Sequence, residues 1–222
     1  MTNAKNVSCV LFDLDGTIID SSPGILRCFK LGLASVGVTD VPDDEYLLGR
    51  IIGPPLAYSY TKFIGLSDEE SDKAIAAYRA DYRVKGFAES TVYSGMTECL
   101  SALRDAGIPI GMATSKPEEM ALSIVRDKNI YHLFDVICGA EPSDKHSSKP
   151  QLITRALDSL GITADKRAFM VGDKSYDIEG AAAVGISSLG VTYGFGALSE
   201  LTRSGADFIA DSPEDIANFF LT

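Results

Sequence analysis

Tryptophan is absent from this chain of 222 residues, and histidine occurs only at His132 and His146. Two imidazoles cannot build a histidine-rich metal site, and no nucleophile-elbow motif accompanies them to complete a Ser-His-Asp triad. Cysteine is sparse and scattered. Cys9, Cys28, Cys99 and Cys138 contain no Cys-x-x-Cys pair, which argues against a zinc site or a disulfide scaffold and leaves four small hydrophobes for the interior. No apolar run approaches the ~20 residues of a membrane span, and Met1 to Asn6 lacks the regions of a signal peptide, so a soluble, cytoplasmic protein is expected. Positive charge is also short: 20 Lys and Arg against 31 Asp and Glu leave a formal charge of −11. Such a surface disfavours nucleic acid and anionic membranes as partners, since both require a basic face to displace counterions. An anionic substrate would need a local cationic pocket, which a bound divalent cation supplies economically.

Apolar residues make up 45% of the chain, enough for a substantial core. From Thr91 onward short apolar runs alternate with amphipathic helical patterns. Ile108 to Ala113, Phe134 to Cys138, Ala168 to Val171 and Ile186 to Val191 are the strand candidates, and their spacing predicts an α/β domain with a parallel sheet covered by helices. Helices are predicted over Met96 to Ala106 and Pro150 to Leu160, each closed by a glycine. Another is expected after Ala113, with Ser115 and Glu118 at capping-box spacing around Pro117. Between Asp20 and Glu89 no comparable strand appears. Ser22-Pro23 opens a helix with Ile25, Phe29, Leu33 and Val36 on one face, and Ser67 opens another through Ala74, Ala77 and Tyr78. The expected organisation is a helical insertion at residues 20–88 within an α/β core of residues 1–19 and 89–222, with linkers near Ile19 to Ser21 and Phe87 to Tyr93.

The most informative run is Val10-Leu11-Phe12-Asp13-Leu14-Asp15-Gly16-Thr17. A strand from Val7 to Phe12 delivers Asp13 and Asp15 to one face, because side chains two apart point the same way on an extended chain. Gly16 lets the backbone turn and Thr17 adds a hydroxyl. A polar turn after a strand is the plain alternative. Ligands of an open parallel sheet bind at the carboxyl ends of its strands, so residues following each strand matter most. Thr114 and Ser115 follow the second candidate strand, where a hydroxyl and a helix start can hold an anion. Asp173 and, four residues later, Asp177 follow the strand at Ala168; Asp177 has an alternative as a helix-capping carboxylate. Lys149, at the start of a helix, either stays in solvent or neutralises charge at the same rim. Asp13 and Asp173 offer hard oxygens from two strands, which suits Mg²⁺.

These four segments, Asp13-Leu14-Asp15-Gly16-Thr17, Thr114-Ser115, Lys149-Pro150 and Gly172-Asp173 with Asp177, stand in the order of the four motifs of the haloacid dehalogenase (HAD) superfamily. The chain resembles its phosphatases with a helical cap after the first motif, over essentially its whole length. Gly53-Pro54-Pro55-Leu56 and Tyr193-Gly194-Phe195-Gly196 look like the phosphoglycolate phosphatase and 5′-nucleotidase-like branch. The resemblance implies a Rossmann-like core and a helical cap that closes over the site. It implies hydrolysis of a small phosphorylated metabolite, with Asp13 as nucleophile forming an aspartyl-phosphate and Asp15 as general acid and base. It further implies that Mg²⁺ is held by Asp13, the Asp15 carbonyl and Asp173. Thr114, Ser115 and Lys149 then bind the phosphoryl oxygens, while Asp177 orients Lys149 or a metal-bound water. In the cap, Arg50 is the candidate for a second anionic group on the substrate, with an ordinary surface arginine as the alternative. A β-phosphoglucomutase-like mutase shares the same core motifs, and a non-catalytic binding protein of the same fold is the reading of another class. The physiological substrate, and whether the protein is a monomer or a homodimer, stay open.

Overall fold

The computed structural model describes residues 7–52, 54–141 and 148–222. Gly53, His146 and Met1 to Asn6, all of which figure in the sequence reading, lie outside the described residues. The elements follow in the order β1 (Cys9–Phe12), β2 (Ile19–Asp20), α1 (Ser22–Ser35), α2 (Asp44–Ile51), α3 (Leu56–Tyr58), α4 (Asp68–Tyr82), β3 (Thr91–Val92), α5 (Met96–Asp105) and β4 (Ile110–Pro117). Then come α6 (Glu118–Asp127), β5 (Val136–Ala140), α7 (Lys149–Leu160), β6 (Ala168–Gly172), α8 (Ser175–Val184), β7 (Ser187–Val191), α9 (Leu198–Arg203), β8 (Phe208–Ala210) and α10 (Pro213–Leu221). The chain divides into two compact units, residues 1–20 with 91–222, and residues 21–90.

In the larger unit six strands form one parallel sheet in the order β5-β4-β1-β6-β7-β8, the α/β architecture that the alternating pattern predicts. All four residues of β1 are fully buried, so this central strand reads as a continuous apolar run. On one face Leu11 and Met170 meet Leu152, Ile153, Ala156 and Leu157 of α7 and Ala181 of α8. Elsewhere the Phe169 ring contacts Phe219 and Phe220 of α10 edge to face, at centroid distances of 5.7 and 5.0 Å. The chain runs β1, β4, β5 on one side and then returns to lay β6 on the other flank of β1. Strand order therefore reverses at β1, and the crevice beyond its carboxyl end is where an open sheet binds ligands.

Three local expectations are corrected. The helix after Ala113 begins at Glu118 with Pro117 as its N-cap, not at Ser115, and no side chain caps it. Proline disfavours helical geometry in the residue before it, so Lys116 and Ser115 stay extended and β4 runs on to Pro117, with a register shift against β5 after Ala113. The segments expected as linkers instead contain a two-stranded antiparallel ribbon, Ile19 opposite Val92 and Asp20 opposite Thr91. The sheet also has a short edge strand, β8, beyond the four predicted after the first.

Among its described residues the smaller unit contains helices joined by turns and no strand. Ile25, Phe29 and Leu33 line the buried face of α1, and Tyr60 stacks on Phe29 at 4.2 Å while its hydroxyl donates to the Phe29 carbonyl. The α4 helix opens on a capping box in which Ser67 and Glu70 satisfy each other's exposed amides. Arg27 closes the unit by donating from Nε to both oxygens of Glu89, at 2.7 and 2.9 Å, and from its terminal nitrogen to Asp81. Helix α1 approaches the 3-10 turn Gly86–Glu89 so closely that a Cβ on Gly24 would overlap the Gly86 carbonyl. Gly24→Ala should therefore lose about 1 kcal/mol or more of stability despite the roughly 1 kcal/mol gain in helix propensity, because the clash is with backbone. The urea midpoint by circular dichroism checks this, and an unchanged or raised midpoint would contradict it.

Candidate active site

Parallel pairing of β1 with β6 sets the site. Phe12 lies opposite Val171, and the Asp13 amide donates to the Val171 carbonyl at 2.9 Å, so the chain after each strand diverges from one point and carries Asp13 and Asp173 into the same crevice. From there Leu14 to Ile19 fold into a tight loop, with the Leu14 carbonyl accepting from the Ile18 and Ile19 amides. Gly16 takes φ +80° in this loop, a left-handed conformation that side chains rarely adopt. A Cβ there would also meet the Asp173 carboxylate and the Phe195 ring.

Lys149 reaches the crevice from the first turn of α7. Its side chain is 5% exposed; the ammonium donates to the Ala113 carbonyl at 3.0 Å and forms ion pairs with Asp13 Oδ1 at 3.0 Å and Asp177 Oδ1 at 2.7 Å. Burial alone would drive this ammonium toward neutrality, but Asp13 and Asp177 reverse that and hold its pKa above the ordinary lysine range. Asp177 is itself pushed up to about 6 by burial, with Lys149 opposing the rise. Asp173 is raised further, to about 8, by burial first and then by repulsion from Asp177 and Asp13. Its Oδ2 accepts from the Phe195 amide at 2.8 Å, whereas its buried Oδ1 has no hydrogen-bond partner among the described residues.

One oxygen from each of Asp13, Asp173 and Asp177 lies within 4.8 Å of the others. An unpartnered buried oxygen, a hard all-carboxylate donor set, and three acids facing one lysine together fit a divalent cation. Thr114 is also buried at this rim, next to Ala113, whereas Ser115 is exposed. Asp15 sits apart from the three acids with its carboxylate clamped by Lys116 Nζ at 2.6 and 2.9 Å. The sequence reading passed over Lys116. The one available signal was its spacing of two from Thr114, which on an extended chain places both on one side. Arg50 belongs to the smaller unit, where its guanidinium stacks 3.7 Å from the Tyr46 ring centroid and donates to the Tyr46 carbonyl.

The Tyr193-Gly194-Phe195-Gly196 turn closes the rim. The Tyr193 hydroxyl donates to the Thr17 carbonyl at 2.9 Å, and its ring meets Tyr93 edge to face. Side chains at 194 or 196 would strike Gly16 and Asp173 backbone atoms, so both glycines are required by close approach.

Known proteins place this geometry in context. The haloacid dehalogenase-like hydrolase family matches residues 10–191. A tyrosine-protein kinase, PtkA, of Mycobacterium tuberculosis is 40% identical over 187 residues, covering 84% of this chain and 62% of that protein. The chain thus spans less than two thirds of the length of that relative. A 5′-nucleotidase of Pseudomonas aeruginosa is 38% identical over 192 residues, covering 86% of each. A solved haloacid dehalogenase-like family hydrolase from Streptococcus pneumoniae superposes with a TM-score of 0.89 at 31% identity, covering 97% of this chain and 99% of that one.

The raised pKa of Asp173 has a sign in stability. Folding lifts it from the ordinary 3.8 to about 8, so between those values the folded state keeps a proton that the unfolded chain releases, and stability falls as pH rises through that window. Asparagine imitates the protonated acid. In cation-free buffer the Tm advantage of Asp173→Asn over the parent should grow by several degrees from pH 5 to pH 8.5, measured by circular dichroism melts; a gap independent of pH would refute the raised acid.

Proposed function

As the chain belongs to the haloacid dehalogenase-like hydrolase family, we propose that it is a Mg²⁺-dependent phosphatase acting on a small phosphomonoester through an aspartyl-phosphate on Asp13. The observation that carries this reading is the meeting of Asp13, Asp173, Asp177 and a charged, buried Lys149 where strand order reverses. Relatives named as a 5′-nucleotidase and as a tyrosine-protein kinase both concern phosphoryl groups, and further relatives are named phosphoglycolate phosphatases. Phosphoglycolate and nucleoside 5′-monophosphates are accordingly the first substrates to test.

An Asp13 carboxylate oxygen attacks phosphorus as the ester P–O bond breaks, and Asp15 gives its proton to the departing oxygen. Water then attacks the phosphorus of the aspartyl-phosphate, Asp15 takes the proton, and inorganic phosphate leaves with Asp13 restored. Before the first step the Asp15 carboxylate must leave its 2.6 Å contact with Lys116 to reach the departing oxygen. Thr114, the Ser115 amide and Lys149 hold the phosphoryl oxygens and offset their charge, where most phosphoryl-transfer catalysis lies. Asp13, the Asp15 carbonyl and Asp173 would hold Mg²⁺, which would supply charge neutralisation at the phosphoryl group. Asp177 orients Lys149, consistent with their 2.7 Å contact. The residues 21–90 unit acts as the cap that closes over the substrate, and Arg50 meets an anionic group beyond the phosphate.

The protein is proposed to work in the cytoplasm as a monomer or homodimer on a phosphorylated metabolite. All four cysteines are free and buried, which suits a reducing compartment, and no described helix is long and apolar enough to cross a membrane.

Phosphate release from a panel of small phosphoesters, with Mg²⁺ and after chelation, tests this assignment. Release should require the cation and should fall at least about 10³-fold in Asp13→Asn while folding persists. Sugar-phosphate isomerisation without phosphate release would instead mark a mutase, and label accumulating on tyrosine would mark a protein kinase. Arg50→Ala should raise KM for substrates with a second anionic group and leave that for a plain aryl phosphate unchanged; equal KM values in both would remove Arg50 from substrate binding.

A further inference from the structure

Asp173 is aimed by a closed loop of polar contacts that runs outside the carboxylate cluster. The Phe195 peptide is held at both ends: its amide donates to Asp173 Oδ2 at 2.8 Å, and its carbonyl accepts from Lys174 Nζ at 3.1 Å. That ammonium, on a side chain 14% exposed, lies 3.9 Å from Glu200 Oε2. Glu200 in turn uses Oε1 to accept the Ser175 amide at 3.0 Å, one of the unpaired donors in the first turn of α8. Three consecutive residues, Asp173, Lys174 and Ser175, are therefore tied to one peptide of the glycine turn and to one side chain of α9.

The consequence falls on a single atom. With Oδ2 committed to the Phe195 amide, Oδ1 is the oxygen of Asp173 left buried without a hydrogen-bond partner, on a residue that brings one oxygen within 4.8 Å of those of Asp13 and Asp177. Neither Lys174 nor Glu200 contributes an oxygen to that cluster. We propose that Lys174 and Glu200 are positioning residues: by clasping the Phe195 peptide against Asp173 they hold Oδ1 toward the divalent cation and so set the affinity of the site. This rests on the cation reading above.

The clasp and a simple charge effect predict opposite signs for Lys174. Removing a positive charge next to Asp173 would by electrostatics alone tighten cation binding, because the lysine repels the ion. Loss of the clasp releases the Phe195 peptide and with it the carboxylate, which weakens binding; substitutions in such outer contacts cost about 10-fold or more in metal affinity.

Mg²⁺ binding to the full chain, followed by isothermal titration calorimetry, decides between them. The dissociation constant should rise about 10-fold in Lys174→Met and in Glu200→Ala, with the double variant no weaker than the weaker single one, since both break the same loop. Lys174→Arg, which can still donate to the Phe195 carbonyl, should bind close to the parent, and Lys166→Met, whose amine contacts Ile186 and Asp207 among the described residues, should not differ. Turnover at saturating Mg²⁺ should return toward the parent value while the Mg²⁺ concentration for half-maximal rate stays raised. Equal or tighter binding by Lys174→Met would overturn the clasp and leave the cation site standing. Absence of Mg²⁺ binding by the parent, with Asp173→Asn identical, would overturn the cation reading and the clasp with it. Should Lys174→Met fail to fold by circular dichroism, Lys174→Ala carries the same test, because it too removes the positive charge together with the donor to the Phe195 carbonyl.

Discussion

Three carboxylates share a buried crevice with one ammonium, and that imbalance governs the rest of the structure. Lys149 answers it with two ion pairs, to Asp13 and Asp177, and a hydrogen bond to the Ala113 carbonyl. A buried lysine without these partners would neutralise, and buried carboxylates without the lysine would protonate. Asp13 and Asp177 keep the ammonium charged, and Lys149 opposes the rise that burial imposes on Asp177. One lysine does not balance three acids, and the residual shows up on Asp173, whose pKa climbs to about 8 through burial and the two neighbouring carboxylates. Without a cation that excess is relieved by a proton kept on Asp173, the charge that a divalent cation would supply in its place.

Burial at this site follows from the sheet. Parallel strands covered on both faces need apolar residues throughout, and β1 and β6 are entirely buried. Their polar residues begin abruptly where the strands end, so the chemistry is confined to a rim one residue deep. Glycines finish the construction. Gly16, Gly194 and Gly196 lie where backbone passes within side-chain distance of Asp13's loop and Asp173, and no larger residue would let the turn close on the carboxylate.

Much of this was legible from residues alone. The apolar runs at Val10, Met112, Met170 and Leu189 were long enough to mark strands, and the helices from Ser22 and Ser67 announced themselves by periodicity and capping chemistry. Other features lacked a local signature. The β2–β3 ribbon has two residues per strand, too few for a period of two to register, and β8 has half-exposed Phe208 and Ile209 at a sheet edge. Helix α6 was misplaced because Ser115 and Glu118 imitate a capping box, while Pro117 delays the first helical turn. Lys116 escaped notice because its partner Asp15 is 101 residues away, and only the folded register of β1 beside β4 brings the two together. The clasp around Phe195 was equally silent, being built from one peptide and two unremarkable surface residue types.

The β2–β3 ribbon bears on how such a protein diversifies. Its two strands are paired residue for residue, so the chain leaves the sheet-bearing unit and returns to it at points roughly 5 Å apart. To the rest of the fold the seventy residues between them are equivalent to the tip of a hairpin, and lengthening or exchanging them adds little closure entropy. The whole helical segment can thus be exchanged as a cassette while the residues at the ends of β1, β4 and β6 keep their places.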